Sequence, residues 1–178
     1  LSPFLAKQRY FQVSRLLSEK ETILDLGCGA GGFKDYLPAE TNYYGIDLVK
    51  HWPNDRKNLY VGGLGDDLPK ELKNIKFTVI TALAIIEHLK KPEILFRDAG
   101  NQLESGGKVI LTTPHPLGRK MHDFGSKIGL FSNHASHEHE TFLDKDDLKR
   151  FASSEGFEMI SYRRFLFGMN QVAVFKKL

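Results

Sequence analysis

The sequence predicts an α/β fold: a doubly wound, mostly parallel seven-stranded sheet that closes with an antiparallel hairpin. Three observations carry this. Short apolar runs alternate with helical stretches, the pattern of a parallel sheet with right-handed crossovers. The first run ends in the glycines Gly27, Gly29, Gly31 and Gly32, which suits a tight turn after a strand. The last two runs are separated only by Gly168-Met169-Asn170, too short for a crossover and right for a hairpin.

Taken in order, residues 4–17 carry apolar groups at Phe4, Leu5, Phe11, Val13, Leu16 and Leu17, a helical spacing within an N-terminal region of residues 1–21. Residues 22–26 form a short apolar run and read as a buried strand, followed by turn, helix and strand. Residues 42–46, ending in Asp47, and 58–61, ending in Gly62 and Gly63, read as short strands. Residues 77–83 are uncharged and β-branched, as in a central strand. A helix over 92–103 starts with Pro92 in its first turn and stops at Ser105-Gly106-Gly107, after which 108–113 is the next strand. From 114 to 141, about 28 residues, periodicity is lost; a loop of that length in a compact domain is more often functional than idle. Asp144 caps a helix that stops at Gly156, and 157–167 and 171–176 are the hairpin strands.

Composition sets limits on this fold. The chain has 178 residues, which suits one domain spanning 1–178, and a net charge of +3. That balance is compatible with an anionic substrate and gives no basis for expecting a nucleic-acid partner. Cys28 is the only cysteine, so no intrachain disulfide or thiolate-cluster zinc site can form. No apolar run approaches the roughly 20 residues of a membrane span and no signal-peptide pattern opens the chain, so a cytoplasmic protein without a membrane span is expected. It begins at Leu1 rather than Met, which reads as a fragment or processed form. Oligomeric state is not legible.

The most informative segment is Ile23-Leu24-Asp25-Leu26-Gly27-Cys28-Gly29-Ala30-Gly31-Gly32. Gly27 and Gly29 let the backbone approach a ligand closely, and Asp47, about 20 residues on at a second strand's end, can accept both hydroxyls of a ribose. The glycines alone fit both GxGxxG and GxGxG. Asp25, two residues before Gly27, separates the readings: its carboxylate would repel a pyrophosphate and suits an ammonium or a bound water.

On these residues the chain resembles the class I S-adenosylmethionine-dependent methyltransferases, particularly the small-molecule branch called type 11 or type 12. The likeness runs from about residue 22 to 176, through Leu24-Asp25-Leu26-Gly27-Cys28-Gly29-Ala30-Gly31, Tyr44-Gly45-Ile46-Asp47, the segment from Gly63 to Pro69, Ala84-Ile85-Ile86-Glu87-His88-Leu89, and the segment from Leu103 to Pro114. The resemblance implies a Rossmann-like sheet and S-adenosyl-L-methionine as cofactor, with S-adenosyl-L-homocysteine (SAH) as product. It also implies roles. Gly27, Cys28, Gly29 and Gly31 form the cofactor turn with Asp25 nearby, and Asp47 takes the ribose. Leu48 and Leu64 pack on adenine. Ala82 and Leu83 border the methionine amino group through their carbonyls. Gly63 stands where the family usually has an Asp, so adenine contact there falls to backbone, Asp66 or Asp67. Core packing is the competing reading for Leu48, Leu64 and Leu83.

The expected chemistry is in-line transfer of a methyl group to a small-molecule, lipid or sugar-linked acceptor. Placement dominates such a step, because the sulfide leaves readily. A base matters only for a protonated acceptor, and His88, His115 and His139 are the candidates; Glu87 could orient or charge His88. Five of the seven histidines lie between His115 and His139. His137 and His139 could bind zinc with Glu87 or His88, but the reading taken is a substrate-facing insertion loop, 114–141, with no metal. The Glu-x-x-Glu-His metal pattern of some relatives has Ala84 at its first position here. Met121, Phe124 and Phe131 could wall an acceptor pocket, and Arg119 and Lys120 could meet an anionic acceptor. Two other readings stay open: an NAD(P)-binding Rossmann oxidoreductase, and a catalytically inactive cofactor-binding module.

Overall fold

The computed structural model describes residues 2–118 and 142–178. The element order is α1 (Pro3–Ser14), β1 (Thr22–Leu26), β2 (Asn42–Asp47), β3 (Leu59–Val61), β4 (Phe77–Leu83), α2 (Glu93–Gln102), β5 (Leu103–Pro114), α3 (Lys145–Ser154), β6 (Phe157–Phe165) and β7 (Asn170–Lys177). The strands form one seven-stranded sheet in the order β3-β2-β1-β4-β5-β7-β6. The pairs among β1 to β5 are parallel, while β7 pairs antiparallel with both β5 and β6. The doubly wound sheet and its terminal hairpin are as the sequence predicts.

Each central strand divides its side chains between two cores, as a two-residue period requires. Leu24, Ile80, Leu111 and Phe175 enter one core, with Leu95 and Phe96 of α2 and Leu148 and Ala152 of α3. Their neighbours Ile23, Val79, Ile110 and Val174 enter the other, with Val13 of α1, Phe33 and Tyr43. Burial on both faces is why these strands read as continuous apolar runs. Phe96 sits between Phe157 and Phe175, at ring-centroid distances of 5.6 and 4.9 Å, and ties α2 to the hairpin.

Three elements depart from the sequence reading. The expected helix after the glycine turn is a single 3-10 turn, Gly32–Tyr36. Pro38 follows, and Leu37 before it is extended, with φ −93° and ψ 152°; proline disfavours helical backbone in the preceding residue. The strand expected at 108–113 begins at Leu103, and helix α2 ends at Gln102. Leu103 is buried and pairs with Phe77, so core contact extends a segment whose glycines read as a helix stop. The hairpin's first strand likewise ends at Phe165, because Leu166 and Phe167 take positive φ in the turn.

The Asp144 cap forms as expected. Its side chain accepts from the N–H groups of Asp146 and Asp147, both at 2.9 Å, and Asp147 returns a bond to the Asp144 N–H, completing a capping box. Asp144→Ala is expected to lower stability by about 1 kcal/mol, measured by urea unfolding; an unchanged midpoint would show that packing of Leu148 and Ala152 alone holds α3.

Candidate active site

The carboxyl ends of β1, β2, β4 and β5 lie along one sheet edge, and β1 is flanked by β2 and β4. The strand order reverses there, the place where open α/β sheets bind ligands. At the end of β1 the backbone turns through Gly27 and Gly29 in left-handed conformation, at φ 64° and 55°. A Cβ on Gly29 would meet nothing within 4 Å, so the turn presents bare backbone to open space. A Cβ on Gly27 would collide with the Ile85 side chain, which brings the segment after β4 against the turn. Gly31 differs: it is buried, and a Cβ there would lie 2.8 Å from Leu59. Packing under the turn is what requires that glycine.

Asp47 joins the turn to the end of β2. Its Oδ2 accepts from the Gly29 N–H at 2.9 Å and its Oδ1 from the Val49 N–H at 3.2 Å. A carboxylate has about four lone-pair sites, so each oxygen keeps one for a ligand. Leu48, 75% exposed, follows it, and its Cδ2 lies 3.8 Å from where a Cβ on Gly63 would stand. An apolar side chain beside a bare glycine makes a flat surface. The Gly63 N–H is spent on the Asp67 carbonyl at 3.1 Å, and the side chains of Asp66 and Asp67 are exposed; Leu64 is half-buried against the core.

Asp25 lies beneath this surface, 3% exposed. Tyr43 Oη donates to its Oδ2 at 2.7 Å and Thr81 Oγ1 to its Oδ1 at 2.6 Å. Burial pushes its pKa up to about 6, against the pull of those two hydroxyls, and the nearby Asp47 charge adds to the rise. The buried Cys28 thiol is pushed up to about 12, chiefly by burial and then by Asp25 and Asp47; it stays protonated and is no nucleophile. Ala82 is buried within β4, paired with Leu26 and Leu111, and Leu83 pairs with Thr112.

The residues after β4 carry Glu87 and His88. Ala84 is buried at φ 62°, and the chain continues into the 3-10 turn Ile86–His88. That turn carries Glu87 inward, 3% exposed, and leaves His88 exposed. His115 lies at the end of β5, and its Nδ1 accepts from the Leu117 N–H at 3.1 Å. In that bond the neutral ring carries its proton on Nε2. Burial lowers its pKa, helped by Arg164 and opposed by Asp144. His139 lies outside the described residues, as do His122, His134, His137, Arg119, Lys120, Met121, Phe124 and Phe131.

Sequence reasoning missed Gln171. It is fully buried, and its Nε2 donates to the Pro114 carbonyl at 3.2 Å and the Leu143 carbonyl at 2.6 Å, while its Oε1 accepts from Tyr162 Oη at 2.9 Å. One amide thus clamps residues flanking both ends of the 114–141 segment. A glutamine inside an apolar strand was the available signal.

A sheet in this order, with a glycine turn after its first strand and a carboxylate at the end of its second, is the Rossmann-like fold of the class I methyltransferases. This chain belongs to the methyltransferase-domain family, which matches residues 5–162. It is 25% identical over 154 residues to a ubiquinone biosynthesis O-methyltransferase of Azoarcus sp., covering 78% of this chain. The chain spans 65% of the length of that relative. Among solved structures, an S-adenosylmethionine-dependent methyltransferase from Mesorhizobium loti superposes with a TM-score of 0.67 at 15% identity, over 97% of this chain and 100% of the other. Magnesium protoporphyrin IX methyltransferase from Synechocystis, solved with bound SAH, gives a TM-score of 0.62 at 11% identity, over 98% and 82%. At these identities the structural likeness speaks for the fold.

Proposed function

We propose that this chain binds S-adenosylmethionine at the β1 turn and transfers its methyl group to a small-molecule, lipid or sugar-linked acceptor. The observation that carries the reading is the Asp47 carboxylate, tied to the Gly29 N–H at 2.9 Å with lone pairs to spare beside open, side-chain-free backbone. When bound, S-adenosylmethionine supplies an electrophilic methyl group on a sulfonium that leaves as a neutral sulfide.

The chain's own residues then bind and orient. Asp47 accepts from the ribose hydroxyls, Leu48 and Leu64 pack on adenine with Gly63 beside them, and Gly27, Cys28 and Gly29 offer backbone to the methionine portion. Ala82 and Leu83 border the ammonium, and Asp25 supplies negative charge below it. The surroundings fit a cation better than a pyrophosphate: Asp25 and Asp47 are both acidic, and the partners of the buried one among the described residues are neutral hydroxyls. The 114–141 segment, clamped beside its ends at Pro114 and Leu143, is assigned to the acceptor side. The kinship with a ubiquinone-biosynthesis O-methyltransferase supports a hydroxyl on a small or lipid acceptor.

Calorimetric titration with SAH tests the reading, with saturable binding expected and NADH producing none. NADH binding in place of SAH would transfer the chain to the oxidoreductase reading. SAH binding without transfer of label from methyl-labelled S-adenosylmethionine into any cell-extract fraction would leave a cofactor-binding module.

A further inference from the structure

A second polar cluster lies on the same sheet edge, and the cofactor reading leaves it unused. Glu87 comes from the turn after β4, Thr113 from the end of β5, Asn170 from the start of β7 and Arg9 from α1. All four are buried. Arg9 Nη2 donates to Asn170 Oδ1 at 3.3 Å, and Asn170 stands opposite Pro114, one residue past Thr113. The Arg9 charge in turn acts on Glu87, so the four elements meet in one place.

Glu87 Oε2 and Thr113 Oγ1 of this cluster have no hydrogen-bond partner among the described residues. The Thr113 hydroxyl stands close enough to Glu87 to draw its pKa down, together with a backbone N–H, Arg9 and His88, while burial, the largest influence, raises it. Side by side, each atom lacks a well-formed hydrogen bond among the described residues, which leaves both open to a third group. A buried carboxylate oxygen without a donor is costly, and native folds keep few such defects outside functional sites. The position is also telling. Ile85, two residues before Glu87, packs on Gly27 of the cofactor turn, so the segment that carries Glu87 reaches from that turn to Thr113 at the end of β5.

We propose that Glu87 and Thr113 bind the hydroxyl or amine of the methyl acceptor, with Glu87 Oε2 taking its hydrogen, while Arg9 and Asn170 wall the pocket. This rests on the methyltransferase reading above. The acceptor oxygen or nitrogen gains the methyl carbon and gives its proton to Glu87. The carbon–sulfur bond breaks with its electron pair on sulfur. Sulfonium and carboxylate thus end as neutral sulfide and neutral carboxylic acid, and no other reactant is needed. Glu87, expected to orient or charge His88, is in this assignment the residue that meets the acceptor.

The test uses the full chain, SAH calorimetry, and methyl-labelled S-adenosylmethionine with catechol, benzyl alcohol, benzylamine, thiophenol and indole as probes. Wild type is expected to methylate at least one hydroxyl or amine probe. Glu87→Gln is expected to keep SAH affinity within about two-fold and to lose roughly 100-fold or more in transfer rate, the scale of a positioned base. The rise of wild-type rate with pH should be absent in that variant. Thr113→Val, of similar volume, should lose about ten-fold in kcat/KM; it carries the test if circular dichroism shows Glu87→Gln unfolded. Wild-type transfer rates in both variants, transfer confined to thiophenol or indole, or SAH binding with transfer to none of the probes would each overturn the assignment. A wild-type chain that binds no SAH removes the cofactor reading, and this assignment with it.

Discussion

Replacing Asp47 with alanine is expected to weaken SAH binding by about 1.5–3 kcal/mol, roughly ten- to 150-fold in dissociation constant. The carboxylate does two things at once. It holds the glycine turn through the Gly29 N–H and the start of the next loop through the Val49 N–H, and its remaining lone pairs face the position assigned to the ribose. Alanine removes the ligand's acceptor and frees the Gly29 N–H. Asp47→Asn keeps one carbonyl oxygen and loses the charge, so its affinity should fall between the two. Calorimetry reads both variants, and an alanine variant with wild-type affinity would take Asp47 out of the ribose role.

Asp25→Asn is expected to stabilise the protein at pH 8 by about 3 kcal/mol, the worth of a carboxylate held roughly two pKa units too high. The sign follows from the direction of the shift. The folded value, about 6, lies above the ordinary 3.8, so the native state binds the proton more tightly than the unfolded chain. That contribution is complete below about pH 4 and is lost as pH rises through 6, leaving an ionised, buried carboxylate above it. Asparagine carries no such charge, and its amide can still bond the hydroxyls of Tyr43 and Thr81. Thermal melts from pH 4 to 8 should converge at the acid end and separate by roughly 6–12 °C at pH 8. Parallel curves across that range would show that Asp25 is not the titrating group.

Elements were legible where local pattern decides them. Residues 77–83 alternate between two cores and so carry no charge, and Asp144 followed by Asp147 encodes a cap that any helix starting there would use. The first departure, the single turn at Gly32–Tyr36, had its cause in plain sight at Pro38. The second did not. Leu103 to Gly107 reads as a helix stop, and only the seating of Leu103 against Phe77, 26 positions earlier, makes it strand.

The site divides along the same line. The bends at Gly27 and Gly29 and an acid near position 47 follow from the order of residues, because backbone freedom and strand ends are local properties. Whether Glu87 or its neighbour His88 enters the interior depends on a buried, left-handed Ala84 and on where β5 and α1 stand. Likewise, Gly31 serves Leu59, and Gln171 clamps Pro114 and Leu143, because chain segments far apart in sequence come together on one sheet edge. Hydrogen-bond and packing partners at that separation leave no periodic trace in the sequence, so folding alone assigned them.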